Sequence, residues 1–427
     1  MQELVIKKID RLKGAVTVPG DKSISHRAVM FAAISEGKSA VFNFLESEDC
    51  QNTKKAFQQL GIKFSTRGKA LIVYGHGLHG LAVSPEPIDC GNSGTTMRLI
   101  SGILAGQKFT SIITGDKYLR RRPMKRVIAP LRAMNAKIKA VGDESAPLRI
   151  SGGDLQGIQY ILPVASAQVK SCILLAGLYA AGKTRVIEPV PTRDHTERML
   201  AYLGAKINKK GLKTTIQGNT RLKGNKIIVP GDISSAAFLL VAASIIPGSR
   251  IVIKNVGVNP TRNGIVTILK KMGAKITIKN KRNFGAEPVA DLEVRSAALH
   301  GITIAGRIIP NIIDEIPILA VAAALARGKT IIRGAKELRV KETDRIKSMV
   351  SQLKKMGVNI KEQEDGLVIY GPAVLKGAVV NSFGDHRTAM SLAVAALAAQ
   401  GKTEIKDTEC INTSFPGFEK LLRKISV

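Results

Sequence analysis

Six runs rich in alanine and leucine recur along the chain, with polar and strand-like segments between them. Each run is apolar on nearly every side, which is typical of a helix that is buried all round. A glycine follows each run within a few residues, and an aliphatic segment typical of a strand comes next, as at Thr330–Arg333. The pattern therefore predicts six buried helices, whose apolar runs are Ala28–Ile34, Leu99–Ala105, Ile173–Ala181, Ala236–Ile246, Ile318–Ala326 and Met390–Ala399.

A Leu-x-Gly tripeptide repeats with the same period, and its six copies stand 66 to 77 residues apart. Most repeats also hold an amphipathic run that ends in Gly or Asn, as at Leu203–Lys206. Such a residue commonly ends a helix in the left-handed conformation. Each repeat is therefore predicted to run strand, apolar helix, strand, amphipathic helix, strand, strand.

The two halves of the chain resemble each other, because Pro19–Ser25 has a counterpart at Pro230–Ser235. We therefore expect an α/β protein of two domains, each built from three repeated βαβαββ units with buried helices. One domain is predicted to comprise residues 1–19 and 231–427, and the other residues 20–230. The sixth repeat ends early, and residues 1–18 are expected to supply its missing final strands.

The composition is that of an ordinary globular protein, with 44% hydrophobic and 23% charged residues in a chain of 427. No apolar run is long enough to span a bilayer, and the N-terminus lacks the apolar stretch of a signal peptide. The four cysteines lie far apart without a CxxC pair, which argues against a disulfide framework and a zinc site. We expect a soluble cytoplasmic protein without a metal.

The charge is unusual, because 65 Lys and Arg residues against 33 Asp and Glu residues give a net charge of +32. Such a balance favours nucleic acid, an acidic membrane surface or anionic metabolites as partners. A lysine-rich proteome that fills solvated faces with Lys explains the charge equally well. Aromatic residues make up only 4% and Trp is absent, which disfavours base stacking on single-stranded nucleic acid.

Two nucleotide-binding patterns occur in the wrong context. Gly75–Gly80 matches GxGxxG, but prolines follow where the dinucleotide fingerprint needs a helix. Gly177–Thr184 matches the Walker A pattern, but a phosphate loop runs from strand to helix and this segment is predicted to run from helix to strand. Neither pattern supports a nucleotide site.

Polar motifs stand at the start of each buried helix, and several of them include Arg or Lys. A helix start offers unpaired N–H groups and the positive end of the helix dipole, which together attract anions. Helix capping accounts for any single motif, but six in register point to a common purpose. The sequence predicts a cleft between two domains that closes on polyanionic small molecules. The motifs are Gly20–Arg27, Gly91–Arg98, Ser166–Lys170, Gly231–Ser235, Asn311–Glu315 and Gly384–Arg387.

These motifs resemble the 5-enolpyruvylshikimate-3-phosphate synthase family, in order and over essentially the whole chain. The resemblance is carried by Pro19–Arg27, Gly91–Arg98, Arg122 with Pro123, Arg339–Arg345 and Gly384–Arg387. It implies transfer of the enolpyruvyl group from phosphoenolpyruvate to the 5-hydroxyl of shikimate 3-phosphate, with release of phosphate. It implies no cofactor. The second sequence class of the family is suggested by Ser166–Gln168, Arg193–Glu197 and Asn259–Arg262.

The resemblance also implies residue roles. Asp314 is implied as the base for the 5-hydroxyl, Glu342 as the group that passes a proton to and from the methylene carbon, and Lys22 as a cation between both substrates. The shikimate 3-phosphate site is implied at Lys22, Ser23, Arg27, Ser166, Ala167, Gln168, Arg193, Asp314 and Lys341. The phosphoenolpyruvate site is implied at Lys22, Asn92, Gly94, Arg122, Gln168, Arg345 and Arg387.

Two positions bear on how closely the chain follows the family. Many members carry a Lys before the Phe-Pro pair near the C-terminus, where this sequence has Thr413 and Ser414. Members of the second class often carry Ala at the position of Gly94 and tolerate glyphosate. Since Gly94 has no side chain that would clash with this longer inhibitor, we expect the enzyme to be sensitive.

Three alternatives remain open. UDP-N-acetylglucosamine enolpyruvyl transferase shares the fold and donor but uses a loop cysteine, and the Arg120–Lys125 loop has none. RNA 3′-phosphate cyclase has related repeats and would suit the net charge of +32, but it lacks the Lys341–Arg345 and Gly384–Arg387 motifs. A non-enzymatic nucleic-acid binder needs clustered charge, and here Lys is spread over all six repeats. We expect a monomer whose partners are the two substrates, with neither nucleic acid nor membrane among them.

Overall fold

The computed structural model describes residues 3–427 and divides the chain into two compact units. The first unit comprises Met1–Pro19, Pro230–Arg282 and Pro288–Val427, and the second comprises Gly20–Val229 and Asn283–Glu287. Residues 1 and 2, with which the predicted first domain begins, lie outside the described residues. The division differs from the predicted one at Pro230, which belongs to the first unit, and at residues 283–287, which belong to the second.

Every predicted apolar run contributes to a helix that begins at or next to a polar motif. The six long apolar helices begin at Lys22, Gly94, Ala167, Ile233, Ile316 and His386. Four short 3-10 turns lie at Leu119–Arg121, Gly306–Ile308, Lys336–Val340 and Glu409–Thr413. The helices are α1 (Lys22–Ala33), α2 (Glu48–Gln59), α3 (Gly94–Ala105), α4 (Lys125–Ala133), α5 (Ala167–Gly177), α6 (His195–Tyr202), α7 (Ile233–Ile245), α8 (Gly264–Lys271), α9 (Ile309–Ile312), α10 (Ile316–Leu325), α11 (Arg345–Lys355), α12 (His386–Ala398) and α13 (Phe418–Ile425).

The strands are short, and each apolar helix is followed by one of them. They are β1 (Leu4–Lys7), β2 (Lys13–Thr17), β3 (Glu36–Phe42), β4 (Lys63–Arg67), β5 (Ala70–His76), β6 (Ile88–Asp89), β7 (Thr110–Thr114), β8 (Lys137–Val141), β9 (Ser145–Ser151), β10 (Gln159–Ile161), β11 (Lys183–Ile187), β12 (Ile207–Lys210), β13 (Lys213–Gln217), β14 (Lys226–Ile228), β15 (Arg250–Gly257), β16 (Lys275–Phe284), β17 (Glu287–Arg295), β18 (Thr303–Ile304), β19 (Gly328–Ile332), β20 (Asn359–Gln363), β21 (Gly366–Gly371), β22 (Val379–Asn381) and β23 (Lys402–Lys406).

Within the described residues, each unit has three sheets, one for each repeat. The second unit has β14-β3-β5-β4, β6-β7-β9-β8 and β10-β11-β13-β12. The first unit has β16-β17-β15-β2, β18-β19-β21-β20 and the three-stranded β1-β23-β22. In the repeat β6-α3-β7-α4-β8-β9, the buried helix joins the parallel pair β6 and β7, and the remaining strands add antiparallel. This is the βαβαββ order that the repeats predict, and the α/β fold class is confirmed.

The N-terminal strands pair differently from the expectation that residues 1–18 complete the sixth repeat. Only β1 does so, antiparallel to β23. The strand β2 instead pairs parallel with β15 in the fourth repeat. The first repeat also obtains its parallel strand from a segment that is distant in sequence. The strand β14, near the end of the second unit, pairs parallel with β3, near its start. The prediction was wrong for β2 because an edge strand of five residues carries no side-chain pattern that selects its partner.

The apolar helices form the centre of each unit, and the sheets cover them. All residues of α7 from Ile233 to Ser244 are buried, and so are those of α10 from Ile316 to Ala324. The strands alternate accordingly: in β11, Thr184 and Val186 point inward while Lys183 and Arg185 are exposed. The polar ends of the buried helices are therefore the places where charged groups enter an otherwise apolar core.

Within residues 3–427, no single helix is both long and apolar enough to cross a bilayer. The two helical segments Gly306–Ile312 and Ile316–Leu325 reach the necessary length and composition only when they are taken together, and they are bent by 111° relative to each other.

Candidate active site

The start of α1 places two predicted binding residues in its first turn. Asp21 caps the helix, because its carboxylate accepts a hydrogen bond from the N–H of Ile24 at 2.9 Å. The ammonium of Lys22 lies 2.9 Å from the carboxylate of Asp49 on α2 and is only 19% exposed. Ser23 follows in the same turn. A cation and a hydroxyl thus stand beside the helix N-terminus, which itself favours an anion.

Arg27 lies one turn further along α1 and is buried. Its guanidinium donates to the Thr196 hydroxyl at 2.8 Å, to the Ser23 carbonyl at 2.9 Å and to the Ser171 hydroxyl at 2.9 Å. Burial lowers the pKa of Arg27 to about 10, although the carboxylates of Glu197 and Asp21 counteract this. All three hydrogen-bond acceptors are uncharged, so a bound anion would stabilise the buried positive charge.

The start of α3 brings together three predicted phosphoenolpyruvate residues. Ser93 caps the helix by accepting from the N–H of Thr96 at 3.1 Å. Asn92 precedes the cap, and its side-chain oxygen accepts a 2.7 Å hydrogen bond from Arg122. Gly94 is the first residue of the helix, and a Cβ built on it would lie 3.2 Å from the Arg122 guanidinium. Asn92, Gly94 and Arg122 therefore line one small region.

The start of α5 joins this region through Gln168. Its side-chain oxygen accepts from Arg98 at 2.5 Å, and its amide donates to the Thr95 hydroxyl at 3.0 Å. Ser166 caps α5 through a long 3.4 Å contact with the N–H of Val169, and Ala167 follows it. The helices α3 and α5 are thus connected at their N-terminal ends by polar side chains.

Arg193 stands two residues before α6, close enough to Arg27 for its charge to lower the pKa of that residue. The segment is anchored by Lys170, which is fully buried and contacts Glu188 at 3.0 Å and Glu197 at 2.7 Å. His195 contacts Glu287 at 2.8 Å.

In the first unit, Arg345 is the buried centre of a charge cluster. It is 2% exposed and lies 2.6 Å from Glu342, 2.8 Å from Asp385 and 3.4 Å from Asp314. Burial by itself would lower the pKa of Arg345, but the carboxylates of Asp385, Glu342 and Asp314 outweigh it and raise the pKa above its ordinary value. Three carboxylates around one guanidinium fix its orientation at the start of α11.

Arg387 contributes a second guanidinium to the same cluster. It donates to the backbone carbonyl of Asp314 at 2.9 Å and lies 3.7 Å from the carboxylate of that residue. Lys341 is close by, and burial lowers its pKa while the charge of Asp314 counteracts this. Five predicted residues of the first unit, namely Asp314, Lys341, Glu342, Arg345 and Arg387, thus share one cluster.

The position where many family members carry Lys has a different contact here. The Thr413 hydroxyl lies 3.3 Å from Nδ1 of His386, which begins α12 next to Arg387. No cation stands at this position.

Sequence reasoning did not single out Arg98, Asp49 or Asp385 as site residues. Arg98 follows Gly94 by four residues on α3, so both lie on one helix face, and this spacing was the available signal. Asp385 stands inside the Gly384–Arg387 motif, where it caps α12 as well as binding Arg345. Asp49 lies on another helix, and only the tertiary structure brings it to Lys22. Residues 3–427 contain no group of three or more His, Cys, Asp or Glu side chains arranged to hold a metal.

Comparison with known proteins gives full-length matches. The chain matches the sequence profile of the family EPSP synthase (3-phosphoshikimate 1-carboxyvinyltransferase) over residues 6–422. It is 52% identical to the 3-phosphoshikimate 1-carboxyvinyltransferase of Geobacter sp. (strain M21), with 99% of each chain covered. It is 54% identical to that of Desulforamulus reducens, with 100% of each covered. A solved structure of EPSP synthase from Acinetobacter baumannii superposes with a TM-score of 0.90 at 46% identity, covering 100% of this chain and 98% of the other.

Proposed function

This chain belongs to the EPSP synthase (3-phosphoshikimate 1-carboxyvinyltransferase) family, and we propose that the charged groups at its helix starts hold the two anionic substrates of that reaction. The chain transfers the enolpyruvyl group of phosphoenolpyruvate to the 5-hydroxyl of shikimate 3-phosphate and releases phosphate. The residue roles below are our proposal.

Shikimate 3-phosphate is bound mainly by the second unit. Lys22, Ser23 and Arg27 contribute from α1, and the buried charge of Arg27 favours a phosphate or hydroxyl ligand nearby. The proposed shikimate 3-phosphate residues also include Ser166, Ala167, Gln168 and Arg193 of the second unit and Asp314 and Lys341 of the first.

Phosphoenolpyruvate carries a carboxylate and a phosphate, and both suit the planar guanidinium of Arg. Arg122 in the second unit and Arg345 and Arg387 in the first supply these groups. Asn92, Gly94 and Gln168 complete the proposed site, with Lys22 between the two substrates. The proposed phosphoenolpyruvate residues therefore belong to both units.

The reaction proceeds by addition and then elimination. Asp314 takes the proton of the 5-hydroxyl, whose oxygen forms a bond to C2 of phosphoenolpyruvate, while Glu342 delivers a proton to the methylene carbon C3. In the second step Glu342 takes a proton back from C3 and the enolpyruvyl double bond is restored. The C2–O bond to phosphate breaks, and the leaving phosphate takes up the proton that Asp314 accepted from the 5-hydroxyl. Arg345 contacts both carboxylates and therefore orients the two proton-transfer groups together.

The observation that most supports this proposal is the contact of Asp314 with both Arg345 and Arg387. A carboxylate that removes a proton from one substrate thereby stands beside two guanidinium groups suited to the other substrate. Proximity of this kind accounts for a large part of the rate of a two-substrate reaction.

The experiment is a phosphate-release assay with phosphoenolpyruvate and either shikimate 3-phosphate or UDP-N-acetylglucosamine. We expect release only with shikimate 3-phosphate, and faster release with the uridine nucleotide would overturn the proposal. Arg387→Lys should lower kcat/KM for phosphoenolpyruvate by roughly 10²-fold, because an ammonium cannot form a bidentate pair. Arg295→Lys, at the exposed end of β17 in the same unit, is the matched control and should retain native kinetics.

A further inference from the structure

A chain of buried side-chain hydrogen bonds runs from α1 through α2 to α3. Nδ1 of His26 on α1 lies 2.6 Å from the hydroxyl of Thr53 on α2. The same hydroxyl lies 2.7 Å from the hydroxyl of Thr96 on α3, which donates to the Ser93 hydroxyl at 2.8 Å. All four side chains are buried, with at most 1% of their surface exposed.

The hydrogen bonds in this chain run in one direction. Thr96 has a single hydroxyl proton and gives it to Ser93, so it must accept from Thr53. Thr53 has then used its own proton, and His26 must donate to it from Nδ1. Burial lowers the pKa of His26 to about 3, so the imidazole is neutral near pH 7 and carries one N–H. Thr53 also lies 3.4 Å from the carbonyl of Asp49, a contact too long to compete with the 2.7 Å bond.

The two ends of this chain of hydrogen bonds lie next to proposed substrate-binding groups. His26 precedes Arg27 on α1, on the shikimate 3-phosphate side. Ser93 stands between Asn92 and Gly94 at the start of α3, on the phosphoenolpyruvate side, and it also caps that helix. Of the four side chains, Thr53 alone lies on α2, and it contacts His26 of α1 and Thr96 of α3.

We propose that Thr53 is a positioning residue that holds the starts of α1 and α3 at a fixed spacing, and thereby aligns the binding groups for the two substrates. The inference rests on the proposed function, since it uses the residue roles given there. The other buried residues of α2 are Cys50, Ala56 and Phe57. Cys50 reaches α1 only through a long 3.9 Å contact of its thiol with the backbone carbonyl of Lys22. The hydrophobic effect has no preferred direction, whereas a short hydrogen bond fixes both distance and direction.

Removal of the Thr53 hydroxyl leaves two buried groups without a partner, the N–H of His26 and an acceptor position on Thr96. Such groups are unfavourable in a low-dielectric interior, and the two helices relieve the deficit by shifting relative to each other. Because α1 and α3 carry groups for different substrates, one substitution should weaken both substrate sites.

The test compares Thr53→Val, which keeps the shape, with Thr53→Ser, which keeps the hydroxyl. We expect Thr53→Val to raise the KM for both substrates by roughly tenfold, since a displacement of about 1 Å already costs on the order of 10²-fold in rate. Thr53→Ser should restore both KM values to within about twofold of native. The matched control is Thr214→Val, because Thr214 is fully buried in the same unit and its hydroxyl has no hydrogen-bond partner among residues 3–427.

Several outcomes overturn the inference. A Thr53→Val enzyme that melts at a lower temperature but keeps both native KM values shows a purely structural role. A change in only one KM refutes the shared alignment. If Thr53→Val does not fold, Thr96→Val breaks the same link while its backbone N–H still reaches Ser93, and native KM values in that variant overturn the inference. A native enzyme without activity would overturn the proposed function and this inference with it.

Discussion

Addition of a single methyl group at Gly94 should separate the binding of phosphoenolpyruvate from that of glyphosate. A Cβ at this position would lie 3.2 Å from the guanidinium of Arg122 and 3.3 Å from that of Arg98. Ordinary contact begins at 3.4 Å, so both guanidinium groups have to retreat by a few tenths of an ångström. Neither moves freely, because Arg122 is bonded to Asn92 and Arg98 to Gln168.

The size of the effect follows from these contacts. Overpacking by one methyl group in a well-packed site costs about 1 kcal/mol at the low end of the usual range. A cost of that size corresponds to about a fivefold rise in the KM for phosphoenolpyruvate. The longer inhibitor has less room to adjust, so its inhibitory concentration should rise by a larger factor than the KM. The kcat should stay near native, since Asp314 and Glu342 are unchanged.

The assay is phosphate release at several phosphoenolpyruvate concentrations with and without glyphosate, for the native enzyme and Gly94→Ala. The matched control is Gly153→Ala in the same unit, where an added Cβ meets no atom within 4 Å. The native enzyme should be inhibited and the control should behave like it. The reasoning is refuted if the native enzyme resists glyphosate, or if Gly94→Ala leaves both constants unchanged.

Three further predictions concern the charged groups. Asp314→Asn and Glu342→Gln should each lower kcat by roughly 10²- to 10⁴-fold with smaller effects on KM, because each substitution keeps the shape of the side chain but removes its ability to exchange a proton. Single-turnover kinetics check this prediction. Near-native turnover in either variant rules out the proposed role of that residue. Lys22→Ala should raise the KM for both substrates and lower kcat, whereas a change for one substrate alone contradicts a shared cation. Hydrogen bonds from Lys279, Arg295 and Arg250 lower the pKa of Glu293 from 4.5 to about 2, so its stabilisation is present above pH 4.5 and is lost as the pH falls from 4.5 to 2. Urea unfolding should therefore show Glu293→Gln less stable than native at pH 7, with the difference shrinking over that window, and a constant difference would contradict the assignment.

The candidate site was predictable wherever a proposed site residue stands at the start of a buried helix. The six apolar runs indicate helices because they are rich in alanine and leucine, which favour helix over strand, and the polar motif before each run marks the N-terminus of the helix. Asn92 and Gly94 were found in this way, as were Asp314 and Arg387. Their roles came from the resemblance of the motifs, since capping explains a polar residue at a helix start equally well.

Contacts between distant segments were not predictable. Arg27 meets Thr196 and Ser171 only because α1, α5 and α6 pack together. The hydroxyl chain through Thr53 is similar, since a lone Thr on an amphipathic helix has no sequence signal that names its partners. Side-chain hydrogen bonds across a core depend on helix rotation and spacing, which are set by packing as a whole.

The sequence by itself determined the six repeats, the buried helices and the polar helix starts that hold most of the proposed site residues, because burial imposes a local pattern that repeats with the fold. Only the tertiary structure decided that β2 joins β15 rather than the sixth repeat, and that β14 joins β3. It also decided that Arg345 stands among Asp314, Glu342 and Asp385. These contacts cannot be predicted from the sequence for a physical reason. Strands pair through backbone groups that all residues share, so the sequence does not specify the partner strand, and the side chains of a charge cluster meet only after the strands have paired.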